Sequence, residues 1–391
     1  MTSTRRVKTA VAAAGISSFA LLYAPQPVLP QLAAQYHLDP GGAALAISVA
    51  TGALAVAVLP IAALSEVVGR RPVILTSVTA SVVFGLLVPL MPTYPALLVV
   101  RALQGVAIAG FPGVAAAYLA ERLGRAGVAA AVGAMIAGNT IGGMLGRLAS
   151  GFTEGPFGWR GALFVVAGVG AACSAVTVAT LPPSPRPRGS SVTRGLLTAL
   201  SRPVLLAQYA VALLAMGSFV ALYNAAGFRL TGSPLNLSPA IASLVFLAYA
   251  TGSVSSAAAG RLVARLGRRR ALTGALVLTA AGAALTLPDA LPLVIAGFLL
   301  LTCAFFAAHA VANGWAAAEA PEEARGQVGG TYTASYYLGS SIGGAAGAWV
   351  YGHAGWPWLV AAVALWLLLA IAAVGAGTRA RVGRQELVSA G

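Results

Sequence analysis

Apolar runs of roughly 20 residues follow one another along the whole chain, separated by short polar breaks. That length suits a helix crossing a hydrocarbon core of about 30 Å. About twelve runs can be placed. The first six cover residues 9–30, 42–64, 72–91, 95–120, 128–150 and 160–181. The second six cover 203–226, 239–262, 270–288, 291–318, 327–350 and 356–376. Helices satisfy their own backbone hydrogen bonds in lipid, so the pattern predicts an all-α membrane protein. The longest polar break lies at 182–202 and opens with Pro182-Pro183-Ser184-Pro185-Arg186-Pro187-Arg188. It reads as a cytoplasmic linker between a six-helix bundle at 1–181 and another at 203–391.

The two halves repeat one another. Leu22-Tyr23 returns as Leu222-Tyr223, and Ala50-Thr51-Gly52 as Ala250-Thr251-Gly252. Leu64 through Gly69-Arg70-Arg71 returns as Leu262 through Gly267-Arg268-Arg269. Gly138-Asn139-Thr140-Ile141-Gly142-Gly143 returns as Gly339-Ser340-Ser341-Ile342-Gly343-Gly344, and Gly158-Trp159 as Gly355-Trp356. The order is kept throughout, so the bundles are expected to be related by a pseudo-twofold axis along the membrane normal, with a site near the midplane.

Charge orients the chain. Of the 24 Lys and Arg residues, all but Lys8 are arginine. Most sit at the termini or in every second loop, while the intervening loops hold Arg160 and Arg229. This positive-inside pattern places both termini in the cytoplasm of a multi-pass membrane protein. The net charge of +15 is split into short clusters rather than gathered on one face, which excludes a nucleic-acid partner. Arg5-Arg6-Val7-Lys8 and the apolar run after it look like a signal peptide. The run continues to Pro30 and further spans follow, so it reads as the first span. Cys173 and Cys303 both fall in apolar runs, without spacing for a disulfide framework or a metal site. Heavy Ala, Gly and Arg usage points to a bacterial source, and so to the plasma (inner) membrane.

Three motifs carry chemistry. The loop after span two, Glu66-Val67-Val68-Gly69-Arg70-Arg71-Pro72, has a glycine for a tight turn and a proline for the next helix start. Span four holds Arg101-Ala102-Leu103-Gln104-Gly105. A cation inside a span is costly, and Gln104 lies one turn deeper on the same face, which points to function rather than a side chain snorkelling to the headgroups. Gly138, Gly142 and Gly146 in span five, and Gly339, Gly343 and Gly347 in span eleven, form stripes that let another helix approach closely.

These motifs resemble the major facilitator superfamily. The loop resembles its cytoplasmic signature Gly-x-Leu-Ala-Asp-Arg-x-Gly-Arg-Arg, with Ala62, Glu66 and Val67 replacing Gly, Asp and the first Arg. The resemblance implies that Glu66, Gly69, Arg70 and Arg71 form a cytoplasmic gate loop that latches the two halves. Span four resembles the Arg-x-x-Gln-Gly motif of the twelve-span drug:proton antiporters, and the span-five stripe resembles their antiporter motif without its usual Pro. Tyr23-Ala24-Pro25-Gln26-Pro27-Val28-Leu29-Pro30 is similar to the Tyr-x-x-Gln-Pro-x-Leu-Pro of a bacterial inner-membrane exporter subgroup.

All nine acids fall in loops or at helix ends, so no carboxylate is available inside a span to carry a proton. His309 is the histidine well inside a span, with Asn313 one turn below. It either carries a proton, as imidazole can near neutral pH, or is a neutral structural group. Tyr23, Gln26, Asn139, Tyr332 and Tyr336 join Arg101, Gln104, His309 and Asn313 as candidates for the substrate and proton pathway. Arg147 stands near the outer end of span five. A cavity with such cations disfavours strongly cationic substrates and allows anions, zwitterions and neutral polar molecules.

The expected function is secondary active transport by alternating access, exporting a small organic compound against protons. The alternative is an importer, uniporter or exchanger of a small organic anion or polar metabolite without proton antiport. No nucleophile–base pair, metal cluster or phosphate loop points to an enzyme or a cofactor. The expected partners are a small-molecule substrate, protons and membrane lipids, and the expected state is a monomer.

Overall fold

The computed structural model describes residues 3–183 and 192–389, and every regular element among them is a helix. Nine helical stretches among the described residues are long and apolar enough to cross a membrane. One of them, Ala130–Thr180, is 51 residues long, more than twice what a crossing requires. The packing of its residues explains the excess. Residues 138, 142 and 146 meet residues 12, 16 and 20, so this part runs parallel to span one. Ser17 Oγ donates to Gly170 O at 2.9 Å and Thr177 Oγ1 to Ala10 O at 3.2 Å, so the later part runs antiparallel to it. The chain therefore reverses between them, and Gly158, at φ +64°, supplies the left-handed backbone for the reversal. The stretch is spans five and six.

The expected spans 270–288 and 327–350 are the helices Arg268–Leu285 and Arg325–Ala354, which fall outside the apolar set. The first opens on three arginines, and the second is rich in Gly, Ser and Tyr.

Span one departs from expectation. It is not one helix over 9–30 but a helix Ser3–Tyr23, a 3-10 turn Gln26–Val28 and a second helix Leu29–Tyr36. Pro25 and Pro27 have no N–H to continue the helical ladder. Of the expected linker, residues 184–191 lie outside the described set, and Val192–Ser201 is a helix.

The chain folds into two compact units, Met1–Ser190 with Asn224–Leu247, and Ser191–Tyr223 with Ala248–Gly391. The C-terminal end of span seven and the start of span eight, from the second half by sequence, thus pack within the first unit.

In the first unit, span five lies on span one along its glycine stripe. A Cβ at Gly138, Gly142 or Gly146 would come under 3.0 Å from backbone atoms of Ala12, Ile16 or Ala20. In the second unit, span eleven lies on span seven the same way, through Gly339, Gly343 and Gly347 against Leu213, Gly217 and Ala221. The sequence separations are the same in both units, so the repeat is a repeat of packing. The turn tryptophans repeat too. Trp159 Nε1 donates to Gln35 Oε1 at 2.6 Å, and Trp356 Nε1 to Thr286 Oγ1 at 2.9 Å.

Candidate functional site

The break in span one exposes backbone acceptors. Pro25 cannot donate to the carbonyl four residues back, so Leu21 O has no helical partner. Arg101 supplies one. Its Nη1 donates to Leu21 O at 3.2 Å, Nη2 to Leu22 O at 2.6 Å and Nε to Ala46 O at 2.7 Å. Nη1 also donates to Gln104 Oε1 at 2.5 Å, and Gln104 Nε2 donates onward to Ser81 O at 3.0 Å. One Arg–Gln pair therefore ties spans one, two, three and four together. Arg101 is 1% exposed and points into the bundle rather than snorkelling outward.

A second buried arginine, Arg147, stands on span five. Arg147 Nε donates to Gln26 Oε1 at 2.5 Å and Nη1 to Gly143 O at 2.8 Å. The guanidinium lies 4.0 Å from the centre of the Tyr23 ring and 5.3 Å from that of Phe246. Gln26 Nε2 in turn donates to Asn224 Oδ1 at 2.7 Å. The structure thus brings Tyr23 and Gln26 together around Arg147. Asn139 does not enter this cluster. Its Oδ1 lies against Gly15 and has no hydrogen-bond partner among the described residues.

In the second unit, His309 is ringed by aromatic groups. Tyr332 Oη lies 3.1 Å from His309 Nδ1 and 3.2 Å from His309 O. The Tyr336 ring centre is 4.7 Å from the imidazole, and Phe305 stacks at 6.2 Å with 14° between planes. The expected Tyr332–Tyr336 face meets His309. Asn313 is exposed and stays outside the cluster. An aromatic group built on Phe219, Tyr223, Tyr249 and Phe298 lies beside it, and Tyr223 Oη is 2.7 Å from Thr302 Oγ1.

The loop after span two is built around Arg70. Gly69 takes φ +96°, closed to most side chains, and turns the chain. Arg70 Nε donates to Glu121 Oε1 at 2.6 Å and Nη1 to Ser65 Oγ at 3.0 Å, while Glu66 stands 4.0 Å away. Glu121, not Glu66, is therefore the nearer acid to Arg70. Arg71 Nε donates to Leu181 O at 3.0 Å. The second unit repeats the pair, with Arg268 Nη1 3.5 Å from Glu319 Oε1. Sequence reasoning passes over Glu121 and Glu319, yet each follows its arginine at the same 51-residue interval. It also passes over Asn224, which carries no motif.

Among known proteins, the Major Facilitator Superfamily model matches residues 11–233 and 226–387, nearly the whole chain. The chain belongs to the Major Facilitator Superfamily. Two bacterial relatives are similar to this facilitator over 94% of its length. They are the uncharacterized MFS-type transporter YybF of Bacillus subtilis, 34% identical with 92% of it covered, and the inner membrane transport protein YnfM of Escherichia coli, 37% identical with 89% covered. In fold, the facilitator is similar to a bacterial homolog of the human lysosomal transporter Spinster, at TM-score 0.81 and 16% identity over 95% of this chain and 96% of that one. It is also similar to the nucleoside transporter NupG, at TM-score 0.76 and 16% identity over 95% and 99%. The relatives are named transporters, which agrees with the absence of catalytic motifs in the sequence. Their coverage extends over both repeats, so the buried arginines of the first unit and the histidine cluster of the second belong to one transporter chain.

Proposed function

We propose that this facilitator exports a small organic compound in exchange for protons, by alternating access. The observation that carries the reading is the Tyr332–His309 pair. When His309 is neutral with its proton on Nε2, the Tyr332 hydroxyl donates to Nδ1, 3.1 Å away. When Nδ1 gains a proton, it donates to the Tyr332 oxygen. The tyrosine hydrogen then turns to His309 O, 3.2 Å away. Both protonation states keep their hydrogen bonds, which is what a proton carrier without a carboxylate needs. The span-four pair Arg101–Gln104 and the span-five glycine stripe support export, through their likeness to the drug:proton antiporter motifs. A bacterial inner membrane as the site of action, with cytoplasmic termini and a monomer as the working unit, fits the charge pattern and the name of the Escherichia coli relative. The test is His309→Ala in proteoliposomes. It is expected to abolish gradient-driven transport and retain substrate exchange. Full gradient-driven transport in that variant would return His309 to a structural role and favour the uniporter or anion-exchange reading.

A further inference from the structure

Arg147 dictates the orientation of two buried amides. Arginine only donates, so Gln26 must turn Oε1 toward it. Gln26 then presents Nε2 to Asn224, and Asn224 must answer with Oδ1. Asn224 is fully buried, and its Nδ2 has no hydrogen-bond partner among the described residues. An unsatisfied buried donor is costly, and a native structure keeps one for a reason. Arg147, itself 1% exposed, is meanwhile held by a neutral amide and a backbone carbonyl beneath the Tyr23 and Phe246 rings. A carboxylate binds guanidinium more strongly than an amide oxygen does, and it accepts two parallel bonds.

We propose that this cluster is the recognition point for the carboxylate of an organic-acid substrate, and that Gln26 is the internal ligand which that carboxylate displaces. The incoming group accepts from Arg147, and the spare Asn224 Nδ2 offers it a second donor. Gln26, once displaced, lets go of Asn224. The 224–247 segment is then held to the first unit by one tie fewer. Binding of an anion and loosening of that segment are thereby linked. The inference rests on the reading of the chain as a carrier of a small organic compound. It is independent of proton coupling, because binding is measured without a gradient.

The test uses the purified, solubilised full chain. Benzoate, salicylate and hexanoate are compared with their neutral amides by thermal unfolding. At least one acid is expected to raise the Tm by several degrees, as a ligand specific for the folded state does, while its amide does not. Arg147→Gln should abolish the shift. Gln26→Glu should abolish it too, because a built-in carboxylate occupies the guanidinium. Arg147→Lys keeps the charge and should retain part of the shift, so the proposal stays testable where Arg147→Gln does not fold. In a Cys173→Ser, Cys303→Ser background, N-ethylmaleimide labelling of Ser243→Cys reports on the 224–247 segment. Gln26→Leu, which removes the amide that Asn224 bonds to, should speed that labelling about fivefold, the equivalent of one lost hydrogen bond. The proposal is overturned by acids that shift wild type and Arg147→Gln equally, by no shift with any acid, or by labelling that Gln26→Leu leaves unchanged.

Discussion

Arg101 shows how one residue can turn a broken helix into a stable crossing. Pro25 leaves Leu21 O without its helical donor, and a guanidinium with five N–H groups in a fixed fork meets that carbonyl together with Leu22 O, Ala46 O and Gln104 Oε1. A lysine ammonium presents a single point of charge and cannot reach all four. Arg101→Lys is therefore expected to cost about 2–3 kcal/mol of stability through unpaired buried acceptors. The loss should be read as a lower unfolding midpoint of the purified protein, and an unchanged midpoint would contradict the tie. The sequence reveals the arginine and its glutamine but not their acceptors, because a backbone carbonyl leaves no trace in residue identity. Asn224 is illegible for a related reason. Its role comes from the orientation that Arg147 forces through Gln26, and no spacing along the chain encodes that.

At the scale of elements, the glycine stripes are legible as close-approach surfaces, because periodicity at four residues survives in sequence. Which helices they meet is not legible, since the partner positions 12, 16, 20 and 213, 217, 221 carry ordinary small or apolar residues. Gly142→Ala pushes a methyl into the Ile16 backbone and should cost about 1–3 kcal/mol. Gly133, on the same span, has open space beside it. Gly133→Ala should be neutral or slightly stabilising through helix propensity. Thermal unfolding of the two variants side by side checks the contrast, and equal effects would refute the packing assignment. The Arg70–Glu121 pair is partly buried, so a double-mutant cycle on it should return a coupling of about 1 kcal/mol. Additive single effects would mean that the pair contributes nothing to holding this loop. Span one reads as a single helix in the sequence because its apolar character continues across Pro25 and Pro27, and hydropathy does not register a missing N–H.

Across the whole molecule, the repeat is the most legible feature. Three of its five sequence matches correspond to shared glycine packing, shared turn glycines at Gly69 and Gly267 and shared tryptophan anchors, and an Arg–Glu pair is shared beside them. What the repeat does not share is also informative. The first unit concentrates buried cations and amides, while the second gathers aromatic rings around a histidine. This division suits a carrier in which one unit recognises a polar or anionic group and the other handles the proton. The most direct test of that account is the pH inside proteoliposomes after substrate addition, with wild type and His309→Ala compared across acidic, neutral and basic small molecules. The account predicts a pH change with acidic compounds in the wild type, and none in the variant although substrate still exchanges. Substrate flux with no pH change in the wild type would contradict it.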